Sequence, residues 1–178
     1  MKTILKTTLL VFILTAFGCS TTNDSLDNEF LGNEKLFAKV NGESFVSGDD
    51  YIGASYRSTS SASALAIIAT DVENLSFGKA IGITFSTADS EFELRSGLVF
   101  TSDDQDILLV GVYTFTGNDD DFQENTSMRL EITKVDTVNK LISGKFNFTA
   151  IYKNSSGNQK TYNVTDGEFN DVLYSDDS

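Results

Sequence analysis

The chain contains no histidine, no tryptophan and no proline, and only one cysteine among 178 residues. Without histidine there can be no Ser-His-Asp triad and no Cys-His dyad. The commonest zinc and iron ligand is missing as well. Without tryptophan a frequent stacking platform for sugars and bases is gone. A single cysteine cannot form an internal disulfide, so the fold must stand on its core. Basic residues are scarce: 13 against 26 acidic, a net charge of −13. Such a surface repels phosphate backbones and anionic lipid heads, which excludes nucleic acid as an expected partner.

What is present is ordered from the first residue. Lys2 and Lys6 precede the apolar run Leu9-Leu10-Val11-Phe12-Ile13-Leu14, and Ala16-Phe17-Gly18 lead into Cys19. A charged, then apolar, then small-residue order is a secretory signal. The apolar run is about half the ~20 residues of a transmembrane helix. With Gly18-Cys19 at the cleavage point, the segment resembles a bacterial lipoprotein signal. That resemblance implies removal of residues 1–18 and diacylglycerol on the Cys19 sulfur, often with a third acyl chain on its amine. Two or three chains give durable anchoring where one does not. Cys19 is therefore the expected lipidation site, and no free thiol remains for chemistry. Loss of Lys2 and Lys6 with the signal takes the net charge from −13 to −15.

Residues 19–34 are small and polar and read as a flexible tether. Fully extended, it reaches roughly 55 Å. Residues 35–178 fit one domain with a real core.

That domain reads as strands throughout. Ile142, Gly144, Phe146, Phe148, Ala150 and Tyr152 alternate with Ser143, Lys145, Asn147, Thr149 and Ile151. Met128, Leu130 and Ile132 alternate with charged or polar neighbours, as do Ile81, Ile83 and Phe85. This is the period of a half-buried strand. The run 64–69 is a strand buried on both faces or a short helix. The run 107–113, rich in β-branched and aromatic residues, reads as a central strand. Asn41-Gly42 marks a type I′ hairpin. Residues 155–158 and Asp166-Gly167 mark further turns. The expected fold is an antiparallel β-sandwich or a partly open barrel.

Three stretches carry a family resemblance: residues 37–45 (FAKVNGESF), 141–150 (LISGKFNFTA) and 161–169 (TYNVTDGEF). The chain resembles a family of small, functionally uncharacterised all-β lipoproteins of Bacteroidota. The resemblance implies an all-β domain exported on a lipid anchor, in the cell envelope and on the outer membrane. It brings no catalytic residues. Asp24-Ser25-Leu26 and Asp136-Thr137-Val138 are similar to the short sites at which such bacteria O-glycosylate exported proteins, which makes Ser25 and Thr137 candidate modification sites.

Acidic clusters are the remaining candidate chemistry. Calcium takes six to eight oxygens, and Asp119, Asp120 and Asp121 are the first choice. Asp103, Asp104 and Asp106 form a second cluster, and Asp49 and Asp50 a third. None has the spacing of an EF-hand loop. Their other reading is solvated turns that resist aggregation. A carboxylate-based hydrolase would need two acids about 5–10 Å apart in a cleft, and the sequence selects no such pair. Tyr51, Tyr56, Tyr113, Tyr152, Tyr162 and Tyr174 are either ligand contacts, Tyr51 and Tyr56 foremost, or amphipathic rim residues of the core. The functional expectation is a binding or structural accessory module at the envelope, with no enzyme activity, no cofactor, no bound metal assigned and a glycan or envelope protein as partner. The alternatives are a calcium-dependent glycan- or protein-binding module and, after it, the hydrolase.

Overall fold

The computed structural model describes residues 34–71, 78–89, 92–115, 122–153 and 157–177. The expected signal, Cys19 and all but the last residue of the expected tether lie outside them. That last residue, Glu34, is already in the first strand. Ten strands follow in order: β1 (Glu34–Val40), β2 (Glu43–Gly48), β3 (Ile52–Ser58), β4 (Ser63–Thr70) and β5 (Ala80–Thr87), then β6 (Val99–Thr101), β7 (Ile107–Thr114), β8 (Phe122–Asp136), β9 (Leu141–Lys153) and β10 (Gln159–Asp176). A single 3₁₀ turn at Asp49–Tyr51 joins β2 to β3. The sheet runs β6-β8-β9-β10-β3-β4-β5-β7 and is nearly closed and barrel-like. The open choice between sandwich and barrel thus falls to the partly open barrel.

β10 is the spine. Along one edge it pairs with β9 over almost its whole length. Its other edge is shared. Residues 164–169 pair antiparallel with β1, and residues 174–176 pair with β3. The β10–β3 pair is parallel, an exception to the antiparallel expectation. β7 forms a ladder with β5 only, so it ends the hydrogen-bonded path among the described residues. The run 107–113 is therefore not a central strand. It is apolar because Leu109 and Tyr113 point into the core while its other face stays only half-buried.

The alternation read from sequence holds. Met128, Leu130, Ile132, Ile142, Phe146, Phe148, Ile81, Ile83 and Phe85 are all buried. The run 64–69 is strand β4, with alternate residues buried and the others half-buried rather than both faces closed. Asn41 and Gly42 both have positive φ (51° and 88°), as a type I′ hairpin requires. Asp166-Gly167 is not a turn. Asp166 takes φ 52° inside a bulge of β10, where the register slips between Val164 and Gly167. A bulge uses the same left-handed residue that a turn would.

Three glycines allow three phenylalanine rings to lie flat against backbone. A Cβ on Gly167 would stand 2.6 Å from the Phe146 ring, and one on Gly144 would stand 2.4 Å from Phe169. Both are cross-strand partners of those rings. Gly111 differs, because its Cβ would stand 2.5 Å from the ring of Phe148 on β9, which is not a ladder neighbour of β7. There the ring spans the interior from wall to wall. At one end of the barrel Phe85 stacks on Phe100 at 4.2 Å, with Phe92 beside them. At the other end Tyr113, Tyr152 and Tyr162 cluster, and the Tyr152 hydroxyl donates to the Tyr113 carbonyl.

Gly111→Ala is expected to cost about 1–3 kcal/mol, as overpacking does, read from the midpoint of urea unfolding. Adding Phe148→Leu should recover part of that loss; strictly additive losses would show that the ring is not the obstacle. Burial, reinforced by Tyr162, pushes the Tyr113 and Tyr152 phenols up to about 12. An unfolded tyrosine ionises near pH 10, so the unfolded chain releases these protons first. The stability contribution is complete below pH 10 and is lost between about pH 10 and 12. Phenolate absorbance of these residues should therefore rise together with unfolding, not before it.

Candidate functional site

The outer face of β8, β9 and β10 carries a shallow, open groove of about 320 Å³, lined by Ser127, Asn147, Thr149, Asn163, Thr165 and Asp166. Strand alternation generates this lining. Phe148 and Val164, between these residues, turn inward and are buried, so their neighbours turn out. Pairing then sets Ser127 opposite Thr149 and Thr149 opposite Asn163. The result is a ladder of neutral polar groups. Ser127 Oγ donates to Thr149 Oγ1 at 3.5 Å, and Thr149 Oγ1 donates to Asn163 Oδ1 at 3.2 Å.

The ladder is fixed at its far end by the first hairpin. The Asn163 backbone N–H donates to Asn41 Oδ1 at 2.8 Å, and the Asn41 N–H donates back to the Asn163 carbonyl at 2.9 Å. Asn41 Nδ2 reaches the Thr161 carbonyl at 3.3 Å. The groove's one carboxylate, Asp166, lies 3.0 Å from Lys39 Nζ. Sequence reasoning read Thr149 and Asn147 only as the solvent side of a strand. Their lining-up with Ser127 and Asn163 depends on register, which no local pattern encodes.

The β10 bulge at Asp171 (φ 46°) builds a second polar cluster. Its carboxylate lies 2.7 Å from Lys134 Nζ. The Ser143 hydroxyl accepts the Asp171 N–H at 2.9 Å, and Lys35 Nζ donates to the Asp171 carbonyl at 3.2 Å. The Lys134 hydrogen bond holds the Asp171 carboxyl below the usual carboxylate range. In the β8–β9 turn, Asp136 accepts backbone N–H groups from Val138 and Asn139 and the Asn139 side-chain amide. Those bonds, the side-chain one first, lower the Asp136 carboxyl too.

The sequence candidates separate as follows. Asp119, Asp120, Asp121, Ser25 and Cys19 lie outside the described residues. Thr137 is exposed at the tip of the β8–β9 turn, beside Val138, which is 88% exposed. Asp49 pairs with Lys35 at 3.4 Å, and Asp104 Oδ2 accepts the Thr101 N–H at 2.7 Å. Among the described residues no three acidic side chains converge on a point where they could hold a metal ion. Tyr56, Tyr113, Tyr152, Tyr162 and Tyr174 are buried and Tyr51 is half-buried, so the ligand-contact reading fails for five of the six. Their rings fill the core.

No protein-family model, curated protein or solved structure matches this chain.

Asp171→Asn is expected to lower the melting temperature at pH 7 by removing the charged partner of Lys134. The wild-type carboxyl has a lowered pKa, so its contribution is present above the unfolded value of about 3.9 and is lost as pH falls through the lower folded value. The gap between variant and wild type should therefore close in acid; a gap independent of pH would place the effect elsewhere.

Proposed function

We propose that this chain is exported, lipidated on Cys19 and held on the outer membrane of the cell envelope, where its β-domain acts as a binding or accessory module and not as an enzyme. The reading of the leader rests on Lys2, Lys6, the apolar run and Gly18-Cys19. The resemblance to small Bacteroidota lipoproteins points the same way.

The observation that carries the binding role is the composition of the groove. Hydroxyls and amides both donate and accept hydrogen bonds. A row of them, with one carboxylate already close to a lysine, suits a neutral ligand rich in hydroxyls, such as an envelope glycan. A hydrolase would want a carboxylate pair there, and the groove lining holds one carboxylate. The acidic surface keeps phosphate polymers away.

Two measurements test the two halves of this proposal. Cys19→Ser should remove the acyl mass and move the protein out of the membrane fraction; unchanged mass and fractionation would overturn the anchor. For the groove, titration calorimetry with a panel of neutral oligosaccharides should identify a binder. Ser127→Ala with Thr149→Val should then weaken it about tenfold, since each lost hydrogen bond is worth about 0.5–1.5 kcal/mol. Equal binding by wild type and variant, or binding to no member of the panel, would overturn the glycan reading.

A further inference from the structure

The floor of the groove repeats a short pattern. β9 carries Asn147-Phe148-Thr149 and β10 carries Asn163-Val164-Thr165, the same Asn-apolar-Thr order run in opposite directions. Phe148 and Val164 are cross-strand partners, and both are buried. Each strand therefore turns one amide and one hydroxyl outward. Because the strands are antiparallel, amide and hydroxyl exchange places between them. Thr149 stands opposite Asn163, and Asn147 faces the β10 bulge that holds Thr165 and Asp166. The two pairs are not equivalent. Thr149 Oγ1 donates to Asn163 Oδ1 at 3.2 Å. At the other pair the register slips, and among the described residues neither Asn147 nor Thr165 makes a side-chain hydrogen bond. Both are exposed, and an amide and a hydroxyl together offer donors and acceptors to a ligand.

The surroundings decide which way a chain-like ligand runs. Outward residues recur about every 6.8 Å along a strand and about every 4.8 Å across strands. Along the strands the neutral floor is two rows deep. It ends at the charged row Glu131, Lys145 and Glu168 on one side and at half-buried Ile151 on the other. Taking those charges out of water would cost a neutral ligand binding energy. Across the strands the same two rows continue, to Ser127 and Arg129 on β8 and to Asn41 and Lys39 on the first hairpin. The charges at these two ends are each held by a carboxylate, Arg129 by Glu131 at 2.9 Å and Lys39 by Asp166 at 3.0 Å. The open direction is therefore across the strands, from β8 to the hairpin.

We propose that the groove binds an extended, neutral β-1,4-linked pyranose chain laid across the strands, one sugar per strand. This rests on the glycan-binding reading of the groove and adds linkage, direction and length to it. The spacing fits, since a chain of that linkage advances by close to one strand separation per sugar. The pattern fits as well. Alternate sugars of such a chain turn opposite edges to the same side. Amide and hydroxyl exchange places from β9 to β10, so the same edge of each sugar meets the same kind of group. Asn147 and Thr165 are then the open contacts of the two central sugars. An α-1,4-linked chain of the same sugar coils and does not follow the strands.

The test titrates the full-length chain by calorimetry with β-1,4-linked glucose and N-acetylglucosamine oligomers of increasing length, and with α-1,4-linked glucose oligomers as the control. Affinity for at least one β-linked series should rise several-fold with each sugar up to the fourth and then level off. The α-linked series should show no such rise. Asn147→Ala with Thr165→Val should weaken binding of every β-linked chain of two or more sugars several-fold. The melting temperature should barely move, because neither side chain is bonded within the protein. Equal length dependence in the α- and β-linked series, or no loss in the double variant, would overturn the crossing arrangement. If another neutral sugar then bound, and its binding fell with Ser127→Ala and Thr149→Val, the groove would stand as a sugar site without that arrangement. Binding to no neutral sugar would overturn both.

Discussion

The barrel closes on side chains. Among the described residues β7 finds a ladder partner on one edge only, and the Phe148 ring lying on Gly111 and the Tyr152 hydroxyl bonded to the Tyr113 carbonyl help to hold its wall against the rest. Both come from β9. Close packing makes such contacts unforgiving, because an interior at crystal-like density has no room for one extra methyl group at a ring face. The groove depends on the same arrangement. Phe148 points in because Asn147 and Thr149 point out, and one strand supplies both the closure and the ladder of polar groups.

Two outer faces follow from that single sheet. The long strands β8, β9 and β10 are laced with charge and amide groups. The shorter strands β3, β4, β5 and β7 carry almost none. In a chain with 39 charged residues this is a division of labour across the sheet rather than an average surface.

The strand grammar of the domain was legible in the sequence where inward apolar residues alternate with mostly polar outward ones, as at Met128–Thr133 and Ile142–Tyr152. Asn41-Gly42 was legible for a local reason, since both residues need positive φ. Asp166-Gly167 was legible as a backbone preference and misleading as a turn: the left-handed residue serves a bulge, and bulge and turn differ only in what pairs on either side. The apolar run 107–113 misled in another way. Hydrophobicity reports burial of faces and not the number of hydrogen-bonded neighbours, so an end strand with a half-buried outer face imitates a central one. The groove was illegible because Ser127, Thr149, Asn163 and Asn41 meet only through register across four strands. The tyrosines were ambiguous because a phenol is at home at a rim or in a core, and only packing decides.

The division of the β10 edge between β1 and β3 has a kinetic consequence. Residues 174–176 complete the edge of β3 at residues 54–56, and Asn163 meets Asn41 across 122 residues of chain. Pairings so distant in sequence form slowly. During synthesis β1 and β3 emerge early and wait, each with an edge that only the final strand can cover. The barrel therefore cannot close along β1 and β3 until β10 is in place.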